Sequence, residues 1–225
     1  MGQAIGQILP LAIGVALSPI PIIAIVLMLG TPQARSDGIA FAAGWILGLS
    51  VVGTIFLVVA SGHETTSSGT PQTWVSLLQL LIGVVFLLIA AKQWKSRPKA
   101  GQEAVMPKWM QTIDTFKAGK SFGGGVLLSA VNPKNLALTI AAAAAIAELG
   151  ISNGDEAGAM AVFVAIGSVT IIVPLAIYLV LGEKAKETLE GIKGWMAANN
   201  AVIMTVLLLV LGAKLIGDAI SGLSS

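Results

Sequence analysis

The chain has 225 residues, 56% of them hydrophobic and 11% charged, with a formal net charge of +2. Soluble domains carry about 25% charged residues, so this composition excludes one and points to a protein that crosses a bilayer repeatedly. The absence of cysteine excludes disulfides and thiolate metal sites.

In chain order, apolar runs fall at 7–29, 38–60, 74–91, 122–147, 157–181 and 197–217. Each is roughly 18 to 26 residues long, which suits a hydrocarbon core of ~30 Å. We read an all-α polytopic membrane protein with six transmembrane helices. The first run has no Lys or Arg before Arg35 and outlasts a signal-peptide core, so it is expected to be retained. Arg35 follows the first run, Lys92, Lys95, Arg97, Lys99, Lys108, Lys117 and Lys120 follow the third, and Lys184, Lys186 and Lys193 follow the fifth. Segments 61–73 and 148–155 hold neither Lys nor Arg. The positive-inside rule then puts the basic segments in the cytoplasm and both termini outside. Topology accounts for the pI near 9.0, and nothing in the charge calls for nucleic acid.

A shift of 114 residues superposes Pro19 on Pro133, Ala16 on Ala130, Ala43 on Ala157, Gly44 on Gly158 and Gly53 on Gly167. Three helices per half is an odd number, so a repeat of that length must insert inverted, as in many secondary transporters. The expected organisation is a 3+3 inverted repeat with Pro-broken first and fourth helices: a first repeat at 1–95, a cytoplasmic amphipathic linker at 96–121 and a second repeat at 122–225. Such folds bind substrate where corresponding helices are interrupted. Here those places are Ser18-Pro19-Ile20-Pro21 and Asn132-Pro133-Lys134-Asn135. Each proline removes an N–H and leaves carbonyls without partners in a medium without water. Ser18, Asn132 and Asn135 can supply donors. The alternative is a pair of kinks that only shape helix packing.

Lys134 lies roughly 18 Å from Phe122 along a helix, near the bilayer midplane, where a lysine costs about 2.5 to 3.5 kcal/mol to insert. That is too deep for easy snorkelling and calls for a water-filled cavity or an anionic partner. Half-helix N-termini at Pro19 and Pro133 are expected to add partial positive charge and free N–H groups, which favours an anionic group over a cation; the alternative is a neutral Lys134 that itself carries an exchanged proton. The substrate-binding set is therefore Ser18, Pro19, Pro21, Asn132, Pro133, Lys134 and Asn135. Lys214 and Asp218 are one turn apart and read as a structural pair.

Met106, Trp109, Met110, Ile113 and Phe116 recur at helical spacing over 107–122, and Ala185, Leu189, Ile192 and Met196 do so over 183–196. Both segments read as interfacial membrane anchors. Gly123-Gly124-Gly125 has no preceding strand and no Gly-Lys-Ser/Thr ending, so it reads as a flexible lead-in to the fourth helix, not a phosphate loop. His63 and Glu64 are too few for a metal site. Gly44, Gly48, Gly53 and Gly83 read as packing positions. No nucleophile, base and orienter share a face, so neither an enzyme nor a cofactor is expected.

At its broken helices the chain resembles the LysE superfamily of exporters, whose first helix carries Pro-x-Pro and whose fourth carries Asn-Pro-Lys. Within it the likeness is to the peptidoglycolipid-addressing or sulfolipid-addressing proteins, the GAP or Sap family. It rests on Ala16 to Pro21 (ALSPIP), Phe41 to Gly48 (FAAGWILG), Pro107 to Met110 (PKWM) and Val131 to Leu136 (VNPKNL), and it covers the whole chain. Amino-acid exporters of the superfamily usually have Gly between the two prolines, where this chain has Ile20, which weighs against a small amino acid as cargo. The resemblance implies a multi-pass protein of the bacterial plasma membrane that exports an anionic or amphipathic envelope compound, a glycolipid or peptidoglycolipid. It carries over Asn132, Pro133 and Lys134 as motif positions. The partners it implies are membrane lipids, the cargo, envelope-lipid export machinery and a second copy of the chain. A non-translocating scaffold of a lipid-export complex and an exporter of small metabolites are the alternatives. A cation exporter would need deep carboxylates, which the runs lack.

Overall fold

The computed structural model describes residues 1–61, 73–97, 113 and 115–224, and every regular element among them is helical. The elements are α1 (Gly2–Ala16), α2 (Pro19–Leu29), α3 (Ala34–Ser61), α4 (Thr73–Lys95), α5 (Ala118–Val126), a π turn (Leu127–Val131), α6 (Pro133–Ala147), α7 (Asn153–Leu181), a 3-10 turn (Gly182–Ala185) and α8 (Lys186–Ser224). His63, Glu64 and most of the 96–121 linker lie outside the described residues.

Three stretches are long and apolar enough to cross a membrane: Ala34–Ser61, Thr73–Lys95 and Asn153–Ser224. Two bent pairs raise the number to five if each is one span: α1 with α2, at 51°, and α5 through the π turn with α6, at 59°. The stretch Asn153–Ser224 has 72 residues. As one straight helix it would reach roughly 108 Å, over three times the hydrocarbon thickness. Gly182 interrupts it at φ 57° and ψ −134°, a backbone region that glycine enters without a Cβ clash.

The outer surface is apolar. Leu81 is 62% exposed, Leu88 66% and Val180 82%. A water-facing surface does not carry apolar area on this scale, whereas lipid does. Trp74 and Trp94, near the ends of α4, and Trp195 on α8 are also exposed, and the Arg97 guanidinium lies 3.8 Å above the Trp94 ring. Such amphipathic groups suit the headgroup boundary.

Small residues set the closest helix approaches. Added Cβ atoms at Gly44 and Gly125 would run into the backbones of α5 and α3 respectively, and at Gly212 one would lie 2.9 Å from the Gly83 carbonyl oxygen. The α3–α5 and α4–α8 seams are therefore backbone to backbone. This corrects two sequence expectations. The glycines at 123–125 belong to α5, which starts at Ala118, and Gly125 is part of the seam. The segment 183–196 is not a separate interfacial helix: Ala185, Leu189 and Met196 are buried in the protein, Ile192 alone of the four is exposed, and α8 runs unbroken through the sixth apolar run. Of the other proposed anchor, Ile113 is buried in the same core, so that residue faces protein too.

Candidate functional site

The two breaks have one local cause. The residue before a proline is pushed out of the helical region, and Ser18 (φ −105°, ψ 98°) and Asn132 (φ −58°, ψ 119°) are both extended, with Pro19 and Pro133 opening the next helix. Pro21 falls in the first turn of α2, where a missing N–H disrupts no helical bond.

The freed carbonyls then find side-chain donors. In α1 the Val15 carbonyl would accept from residue 19, which is proline, and instead accepts from Ser18 Oγ at 2.6 Å. The Ser18 N–H turns to the Ala16 carbonyl (2.8 Å), so the Gly14 carbonyl loses its partner and accepts from Lys134 Nζ at 2.6 Å. Ala16 also accepts from Thr170 Oγ1 of α7 at 2.6 Å. In the second span the π turn carries the Asn132 N–H to the Leu127 carbonyl (3.1 Å). By that pattern Leu128 would accept from Pro133, and it takes Asn135 Nδ2 at 2.9 Å instead. Asn132 Oδ1 caps α6 by accepting from the Lys134 N–H at 3.1 Å.

These bonds bring Ser18, Lys134 and Asn135 into one buried cluster, each at most 8% exposed. Lys134 Nζ donates to Ser18 Oγ at 2.6 Å, and Asn135 Oδ1 stands 3.1 Å from the same hydroxyl. Thr139, also buried, returns its hydroxyl to the Asn135 carbonyl at 2.8 Å. An ammonium has three N–H donors, and two of them are committed here. Among the described residues no carboxylate pairs with Lys134: the ion pairs are Lys186 with Glu183, Lys193 with Glu190 and Lys214 with Asp218, the last at 2.5 Å across one turn of α8. The cation rests against the C-terminal end of α1, where the helix dipole is negative.

The prolines contribute shape and not donors. At the start of α2, Pro19 and Pro21 have no N–H and Ile22 bonds the Ser18 carbonyl, leaving the Ile20 N–H. At the start of α6, Pro133 has none, Lys134 bonds Asn132 and Leu136 bonds the Asn132 carbonyl, leaving the Asn135 N–H. The half-helix N-termini thus offer fewer free donors than the sequence led us to expect, and Lys134 carries most of the site's positive character. Sequence reasoning missed the Gly14 carbonyl and Thr170. Thr170 was findable, being a hydroxyl within the apolar run 157–181; the Gly14 carbonyl has no sequence signature.

Among the described residues no group of three or more His, Asp and Glu could hold a metal ion. The cluster offers hydrogen-bond donors and one basic side chain. A family model described as Sap, sulfolipid-1-addressing protein, matches residues 8–221. Neither a curated protein nor a solved structure matches the chain.

Proposed function

The chain belongs to the sulfolipid-1-addressing (Sap) family, and from that premise we propose that it is a membrane transporter that exports an anionic or amphipathic envelope compound, a glycolipid, past Lys134. The observation that carries this reading is the buried Lys134 amine at the crossing of two broken spans, which among the described residues has no carboxylate paired to it and bonds only Gly14 and Ser18. Deep ionisable residues in membrane proteins line substrate or ion pathways. A sulfate, phosphate or carboxylate headgroup supplies the counter-charge.

The architecture we propose is the six-span 3+3 inverted repeat, with repeats at 1–95 and 122–225 joined by 96–121, in the plasma membrane with both termini outside. Splitting Asn153–Ser224 at Gly182 turns five spans into six, and the two breaks fall at positions 114 residues apart. Related pairings support it: α3 packs on α5 as α1 packs on α7, while α4 packs on α8. With no native cysteine, Ser152→Cys and Ser221→Cys should label from outside and Thr188→Cys only after lysis. Labelling of position 188 in intact cells would overturn this orientation.

Transport is tested in vesicles that hold a fluorescent sulfated glycolipid in one leaflet. The wild type should speed its appearance in the other leaflet, and Lys134→Gln should not. Equal rates with and without protein would leave the second reading, a non-translocating scaffold of envelope-lipid export machinery. The observation favouring that reading is that Lys134 also satisfies the Gly14 carbonyl, a purely structural use.

A further inference from the structure

A second buried polar pair sits away from Lys134. Asp37, in the first turn of α3, is 1% exposed, and neither carboxyl oxygen meets a hydrogen-bond partner. Ser121, in the first turn of α5, is fully buried, and its hydroxyl is likewise unpartnered. The two side chains are close enough to interact across the α3–α5 seam without closing a hydrogen bond. The adjacent Gly38 faces apolar groups: a Cβ there would touch Leu29 and Ile25 of α2 and Leu175 of α7.

Among the described residues no cation pairs with this carboxylate. Arg35 on its own helix and Lys117 and Lys120 at the start of α5 are exposed. The charges that follow α7 are engaged elsewhere or point outward, with Glu183 paired to Lys186 and Lys184 exposed. No ion pair joins any of them to Asp37 among the described residues. A buried, unpaired carboxylate either takes a proton or holds a cation. One carboxyl and one hydroxyl fall well short of the oxygen cage of a calcium site, and no metal-ligand cluster is present among the described residues.

We propose that Asp37 and Ser121 form a proton-binding site, in which the carboxylate gains a proton and its new O–H donates to Ser121 Oγ. No other bond forms or breaks. Ser121 stands on the same broken span as Lys134, and the glycine seam joins α5 to α3 backbone to backbone. Protonation at Asp37 therefore acts on α5, which leads through the π turn into α6 and Lys134. That use in turnover rests on the transport reading, whereas the presence of the proton does not.

The test is infrared difference spectroscopy of the full chain in lipid nanodiscs, titrated with pH in sodium-free and sodium-containing buffer. The wild type should show a protonated-carboxyl stretch at neutral pH that is lost at alkaline pH. Asp37→Asn, an isostere of the protonated acid, should lack the band. Ser121→Ala should shift it to higher frequency, because the acid loses its acceptor, and this variant carries the test where Asp37→Asn does not elute as a folded species. A wild type without the band, a band untouched by either substitution, or a band abolished by sodium at constant pH would each overturn the site. In the vesicle assay, flux indifferent to a proton gradient, with the band intact, would overturn only the use of this site in turnover.

Discussion

The two broken spans look alike in sequence and differ in how they are held. The second break is largely self-sufficient: its π turn, the Asn132 cap and the Asn135 amide satisfy the backbone from within the same span. The first takes only Ser18 from its own sequence and borrows Lys134 from α6 and Thr170 from α7. One break donates and the other receives. On the proposed reading, a cargo group that draws Lys134 away takes a partner from the first break and none from the second. An asymmetry of this kind suits a site where an anionic group competes with a carbonyl for one ammonium.

The largest expected effect comes from the donor they share. Lys134→Gln should cut vesicle flux at least tenfold, the scale of about 1.4 kcal/mol in a barrier, and should raise amide hydrogen exchange across 17–22 far more than across 132–136. Equal exchange changes at both breaks would erase the asymmetry. Next, Asn135→Leu strips the Leu128 carbonyl of its donor inside the second break and should lower unfolding stability in detergent by about 1 to 3 kcal/mol, with exchange now rising across 132–136. Asn132→Ala removes a helix cap and should cost about 1 kcal/mol, read from the same unfolding curves. The smallest effect belongs to Thr170→Val, a near-isostere: Ala16 keeps the Ser18 N–H, so the loss should be about 0.6 kcal/mol, the average for interhelical bonds in membranes. A Thr170→Val effect as large as that of Asn135→Leu would mean that the first break depends on α7 more than on Lys134.

Much of this arrangement was legible because membrane sequence rules are strict. Apolar run length located the helical stretches, and Ser-Pro and Asn-Pro-Lys-Asn located both breaks, since a proline inside an apolar run has few other outcomes. Lys134 and Asn135 stood out by their cost in that setting. What stayed hidden depends on backbone geometry. The Gly14 carbonyl is freed only because Ser18 turns its N–H to Ala16, and the π turn exists only because Asn132 reaches back to Leu127. The glycines at 123–125 read as flexible in isolation, because the α3 backbone they pack against is distant in sequence. Asp37 escaped notice because it precedes the apolar run at 38, and hydropathy cannot distinguish an interfacial aspartate from one that the fold buries.

The most direct test of Lys134 as the anion-holding group is native mass spectrometry of the chain extracted with its lipids, comparing wild type, Lys134→Arg and Lys134→Gln. Arginine keeps the charge and glutamine does not. An acidic lipid should remain bound to the wild type and to Lys134→Arg and be missing from Lys134→Gln. The same acidic lipid on all three proteins, at the same occupancy, would contradict the assignment of Lys134 as the centre of the site.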